Sequence, residues 1–127
     1  MEFLTPSEAA KLAENRLINQ YKEHLILLSF NTRSGFLGAD TISIGTLDAN
    51  LVHPREVFLP AIRRHAASII IAHNHPSGEL EPSQNDMEVT KRLVTAGKIL
   101  GIEMTDHLII GEGEYLSFQE QGLLHES

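Results

Sequence analysis

Hydrophobic and polar positions fall along this chain in blocks of differing period, and each change of period marks an element. Thr5-Pro6-Ser7-Glu8 has the form of a helix start. Thr5 suits the cap, Pro6 the first helical position, and Glu8 stands three residues on, as in a capping box. Leu12, Ala13, Leu17, Ile18 and Tyr21 follow a helical stripe, until the pattern changes at Glu23. His24 to Phe30 is a short, nearly continuous apolar run, which predicts a buried strand. Asn31 to Gly35 reads as a turn, and Phe36 to Ile44 as a second strand carrying Leu37, Ile42 and Ile44. His53-Pro54 opens a second helix with Val57, Phe58, Ala61 and Ile62 on one face. Ser68 to Ala72 is apolar on both faces, the pattern of a central strand in a layered α/β protein. Residues 73–82, with Pro76, Gly78 and Pro82, read as a loop. Ser83 starts a third helix carrying Val89, Leu93, Val94, Ile99 and Leu100, and Gly101 stops it. Leu108 to Ile110 is a further strand, Gly111 to Gly113 a turn, and Tyr115 to Leu124 a short closing element. The alternation predicts an α/β (mixed α+β) fold in layers. No repeat, low-complexity segment or linker interrupts it, so residues 1–127 are expected to form a single domain.

Composition narrows the chemistry. Acidic residues outnumber basic ones 17 to 10, a net charge of -7. Such a surface repels phosphate, so autonomous nucleic-acid binding is not expected. The chain has no cysteine, which excludes disulfides, a thiol nucleophile and every metal site built on thiolate. Seven histidines remain, so a transition metal would have to be held by nitrogen and oxygen. No apolar run reaches the roughly 18–20 residues of a membrane span. The start lacks the basic region of a signal peptide. A cytoplasmic location, with no membrane partner, is the expectation.

The most informative stretch is His73-Asn74-His75-Pro76, followed by Ser83 and Asp86. In extended backbone, residues i and i+2 point to the same side, so the two imidazoles can converge on one ion. Asp86, in the first turn of the next helix, can add an oxygen from another direction. Two imidazoles and a carboxylate suit Zn2+ in a catalytic site, where a fourth position is left for water. Zinc lowers the pKa of that water to about 7, and a carboxylate that does not ligate the metal must take the proton. Glu23, where a helix gives way to a buried strand, is a candidate base. Glu79, Glu81 and Glu88 are nearer in sequence, and spacing alone does not choose among them. Taken alone, Ser83-Gln84-Asn85-Asp86 is simply a capping box, and on that reading Ser83 and Asp86 only stabilise a helix end.

At these residues the sequence resembles the JAMM metalloproteases, the JAB/MPN domains. Their motif is a distant glutamate, then His-x-His-Pro, six residues, and Ser-x-x-Asp, and the spacing here matches without a gap. The longer string His73 to Gly78, with Pro82-Ser83 and Asp86, is similar to the bacterial RadC branch. Ile44-Gly45-Thr46, Pro54-Arg55-Glu56, Thr90, Asp106-His107 and Ser117-Phe118 agree with it. The resemblance implies His73, His75 and Asp86 as zinc ligands, Glu23 as general base, and Ser83 as a stabiliser of the oxyanion. It implies a cytidine deaminase-like fold, a mixed sheet between helices. It further implies a zinc metallopeptidase that cleaves an amide or isopeptide bond, with a peptide or protein substrate that no segment identifies. The alternative is a binding module associated with DNA repair. RadC-like proteins carry an N-terminal helix-hairpin-helix region before this domain, and these 127 residues are expected to lack it. The first strand ends Ser29-Phe30-Asn31 where RadC-like proteins have Leu-Asp, which predicts only a turn difference.

The other histidines receive structural readings. His107 is expected to make a structural hydrogen bond rather than to stand behind the metal ligands. His24 points away from Glu23, His53 precedes a helix, and His125 is solvated near the end. Arg63-Arg64-His65 is a basic patch that complements a helix dipole. Oligomeric state is not legible in the sequence.

Overall fold

The computed structural model describes residues 4–124. His125, expected to be solvated, lies outside them. The element order is α1 (Pro6–Glu14), β1 (His24–Phe30), β2 (Phe36–Ile44), α2 (Pro54–Arg63), β3 (Ser68–Asn74), α3 (Gln84–Leu100), β4 (Glu103–Gly111) and β5 (Glu114–Ser117). The strands form one mixed sheet in the order β2-β1-β3-β4-β5, with β3 and β4 parallel and the other pairs antiparallel. The parallel pair needs a crossover, and α3 supplies it.

Both faces of the sheet are covered, which confirms the expected layers. One face, with Ile26, Leu28, Ile70, Ala72, Leu108 and Ile110, packs on Ala9, Ala10 and Ala13 of α1. The other, with Leu25, Leu27, Ile69 and Ile71, packs on Val57, Phe58 and Ala61 of α2 and Val89 and Leu93 of α3. β1, buried throughout, and β3, nearly so, accordingly read as continuous apolar runs.

Several boundaries differ from the sequence reading. α1 has the predicted capping box but ends at Glu14. Turn bonds from Arg16 N–H to Ala13 O and from Leu17 N–H to Glu14 O then divert the chain. Ile18 and Tyr21 therefore leave the stripe and stand 80% and 78% exposed. The connection back to β1 is held by His24, whose Nδ1 donates to Lys22 O while Nε2 accepts from Ile18 N–H. Ile62 of α2, and Ile99 and Leu100 of α3, face solvent instead of the core. Gly101 ends α3 in the left-handed conformation, as expected. β3 continues through His73 and Asn74, and β4 begins at Glu103, five residues before the apolar run. The closing element divides into β5 and a pair of turns. Arg63 lies in the last turn of α2 and Arg64 is its C-cap. Arg64 forms a two-pronged ion pair with Asp40 of β2, at 2.7 and 3.1 Å. Gly38 leaves room for the guanidinium, since a β-carbon there would sit 2.0 Å from it.

Candidate metal centre

The centre lies at the C-terminal end of β3, on the face covered by α2 and α3. His73 is still in the strand and buried. His75 N–H donates to Ile110 O, which keeps the chain extended beyond the strand. His75 therefore points to the same side as His73, with ring centroids 5.1 Å apart and planes nearly perpendicular. The chain then turns, and Gly78 N–H donates back to His75 O. His75 Nδ1 donates to Glu79 O at 2.7 Å, which aims Nε2 at Asp86 Oδ2, 3.0 Å away.

Asp86 arrives through the start of α3. Ser83 caps the helix: its Oγ accepts from Asp86 N–H at 3.0 Å, and its N–H donates to Asp86 Oδ2 at 2.7 Å. The capping box and the metal-ligand motif are thus one arrangement, since the cap swings the Asp86 carboxylate toward the histidines. Asp86 Oδ1 lies 3.2 Å from His73 Nδ1, outside hydrogen-bond geometry. Glu23 approaches from the start of β1. Its Oε2 accepts from Leu47 N–H at 2.8 Å, and its Oε1 stands 3.6 Å from His73 Nε2. The structure therefore brings all five residues singled out from the sequence to one place.

A sixth residue joins them. His107 of β4 is fully buried, and its Nδ1 is 2.6 Å from Thr90 Oγ1 of α3. Its structural hydrogen bond was expected from the sequence, but its position was not. One donor atom each from His73, Asp86 and His107 lies within 4.8 Å of the others. The signal available in the sequence was alternation: with β4 extended back to Glu103, His107 falls opposite Ile71 and on the same face as His73.

The electrostatics suit a cation. Burial works against ionising Asp86, but His73, His75 and the Ser83 N–H outweigh it, and the carboxyl is held far below its usual range. The Asp86 hydrogen bond raises the pKa of His75 against the opposing effect of burial. Burial pushes His107 down to about 3, so it stays neutral. Both nitrogens of His73, Oδ1 of Asp86 and Nε2 of His107 are buried without a hydrogen-bond partner among the described residues. Unpaired buried polar atoms are costly, and a bound cation would satisfy one such atom each from His73, Asp86 and His107. Nitrogen and oxygen donors with no thiolate can hold a metal ion.

Comparison with known proteins agrees with the geometry. A family model described as the RadC-like JAB domain matches residues 3–123. The chain belongs to the RadC-like JAB domain family. Among its relatives is a UPF0758 protein of Rubrobacter xylanophilus, 52% identical over 120 residues, which are 94% of this chain and 52% of that protein. A UPF0758 protein of Clostridium acetobutylicum is 46% identical over 124 residues, 98% of this chain and 54% of the relative. One of Moorella thermoacetica is 51% identical over 119 residues, 94% and 52% of the two chains. The chain thus spans about half the length of these relatives. In this RadC-like JAB domain the centre opens onto two neighbouring grooves. One, of about 750 Å³, runs past Asn74, His75 and Pro76 between the α1–β1 connection and the end of β4. The other, of about 530 Å³, is lined by Glu23, Gly45 and Thr46. Tyr21 and Pro76 belong to both. No helix among the described residues is long and apolar enough to cross a membrane.

Proposed function

We propose that this domain is a zinc-dependent hydrolase that cleaves an amide or isopeptide bond in a peptide or protein. The observation that carries this reading is the placement of Glu23. Its carboxylate stands 3.6 Å from His73 Nε2, beside a cluster of unpartnered donors, and it lines a groove open to solvent. His73, His75 and Asp86 would hold the ion, a three-donor set that suits zinc and leaves a position free. When bound, zinc supplies Lewis acidity, which polarises a carbonyl and brings the pKa of water to about 7.

The chain's own groups supply the rest. Leu47 N–H engages Glu23 Oε2, so Oε1 is the free base. It takes a proton from the attacking water and passes it to the leaving amine. Ser83 is exposed, and its Oγ accepts from Asp86 N–H. Its hydroxyl proton is therefore available to the carbonyl oxygen as that atom gains charge. The net charge of -7, with Lys22 the only lysine or arginine among the described residues lining either groove, favours a peptide over a phosphate backbone as the occupant.

Zinc analysis of protein purified without chelator is the first test, with one equivalent per chain expected. A chain that binds none, even when zinc is added, overturns the reading. Mass spectrometry of a pool of linear and isopeptide-linked peptides then reads hydrolysis. Glu23→Gln is expected to keep its zinc and lose about 10²–10⁴-fold in rate. Undiminished cleavage by this variant would remove Glu23 from the mechanism.

A further inference from the structure

We propose that His107, set by Thr90, is a positioning residue that accepts a hydrogen bond from Nδ1 of His73 and so directs Nε2 of His73 to the metal beside Glu23. The inference rests on the metal reading of the site and assigns a role which that reading leaves open.

A single proton sets the arrangement. Thr90 Oγ1 donates its only hydrogen to Asp86 O at 2.8 Å. At its 2.6 Å contact with His107 Nδ1 it must therefore accept, so that nitrogen carries the hydrogen. Neutral His107 then has a bare lone pair on Nε2. That atom is buried and has no partner among the described residues. The ring cannot turn away easily, because it stacks on Phe118 with centroids 4.3 Å apart and planes 22° apart.

His73 supplies the matching hydrogen. Its Nε2 faces Glu23 and its Nδ1 faces Asp86 Oδ1. A ring that gives Nε2 to the ion keeps a hydrogen on Nδ1, and a metal-bound imidazole nearly always donates that hydrogen to a fixed acceptor. Asp86 is the nearer acceptor until it shares the ion, and His107 remains, with a ring nitrogen within 4.8 Å of a donor atom of His73 and of one of Asp86. The chain of contacts then closes on itself, from His73 to His107 to Thr90 to the backbone carbonyl of Asp86. Direct ligation by His107 would instead complete a closed set of four protein donors, the form of a structural site with no position for water.

The unaltered chain, labelled with 15N at histidine and loaded with 113Cd, provides the test. Expected are 113Cd couplings to His73 and His75 but not to His107, a hydrogen on His107 Nδ1, and a coupling across the hydrogen bond between His73 Nδ1 and His107 Nε2. A 113Cd coupling at His107, or a hydrogen on its Nε2, overturns the proposal. Zinc affinity of two variants gives an independent readout. His107→Phe is expected to lose about 10–100-fold, while His107→Gln, which restores an acceptor near the Nε2 position, stays within roughly threefold of the parent. Equal affinity in His107→Phe overturns this inference alone. A parent chain that binds neither zinc nor cadmium overturns the metal reading and this inference with it.

Discussion

Asn74 holds Glu23 from both sides. Its Oδ1 accepts from His24 N–H at 2.6 Å and its Nδ2 donates to Lys22 O at 2.9 Å. The residue between the two candidate ligand histidines thus grips the peptide units flanking the candidate base, and ties the start of β1 to the end of β3. Asn74→Ala is expected to lower kcat/KM by about 10²-fold through misplacement of Glu23. Zinc affinity should change far less, because neither histidine loses a partner. Leaving the buried His24 N–H unpaired should also cost about 1–3 kcal/mol in a denaturation experiment. A variant that loses zinc and keeps its rate per bound ion would contradict this division of roles.

Ser83 has a structural and a proposed chemical role, and two substitutions separate them. Ser83→Ala removes the cap acceptor and the hydroxyl, and should cost about 1 kcal/mol of stability. If the hydroxyl serves the developing oxyanion, the rate falls by about 10²–10³-fold as well. Ser83→Asn caps helices as well as serine does. It should therefore recover the stability, read by thermal melting, without recovering the rate.

Acid should act on the metal-free chain through two histidines in opposite senses. The folded pKa of His75 is raised, mainly by its hydrogen bond to Asp86. The stability it adds is complete below the unfolded value of 6.5 and is lost as pH rises through the folded value. Zinc must displace that proton, so affinity should climb about tenfold per pH unit up to the folded pKa and then level off. Burial holds His107 near 3, so it stays neutral while the unfolded chain gains a proton near 6.5. The His107 contribution to stability should then fall by about 1.4 kcal/mol per pH unit between about pH 6 and 4, partly offset by Asp106, whose carboxyl is raised by burial and adds stability as pH falls. Asp86, far below its usual range, stays ionised across that window. Urea titrations in a chelating buffer should show the slope in the parent and not in His107→Phe.

Gly111 allows the loop after His75 to lie close. A β-carbon at residue 111 would sit 2.6 Å from the carbonyl oxygen of Gly78. Gly111→Ala should displace the turn that carries Glu79 O, the acceptor for His75 Nδ1. Loss of that outer partner is expected to weaken zinc by about 10–100-fold with little change in rate per bound ion. Chelator competition and single-turnover assays measure the two quantities separately.

The parts of the fold legible in the sequence are those whose cause is local. β1 and β2 start and stop where the apolar pattern does, and α3 lies between the Ser83 cap and Gly101. The five candidate residues were legible because the motif spacing coincides with a strand end and a helix cap. Ile18 and Tyr21 misled because they continue a helical period that turn bonds after Glu14 interrupt, and no glycine or proline marks that break. The first half of β4 was hidden by its polar residues. Asp106 is buried there because Ser117 Oγ, Gln119 N–H and His107 N–H all donate to it, and two of these donors come from beyond the strand. The place of His107 beside the cluster was hidden for the same reason, since its partner Thr90 and its neighbour His73 are set by tertiary packing.

The parallel pairing of β3 with β4 has a consequence in time. Synthesis delivers a chain from its N-terminus. Glu23, His73, His75 and Asp86 all emerge before the strand that flanks β3 on its second side. Until α3 has crossed over and β4 has docked, the growing chain carries loose histidines and an unburied carboxylate, without a preformed cage. On the metal reading proposed above, loading of an ion is expected only after β4 has docked, when nearly the whole domain has left the ribosome.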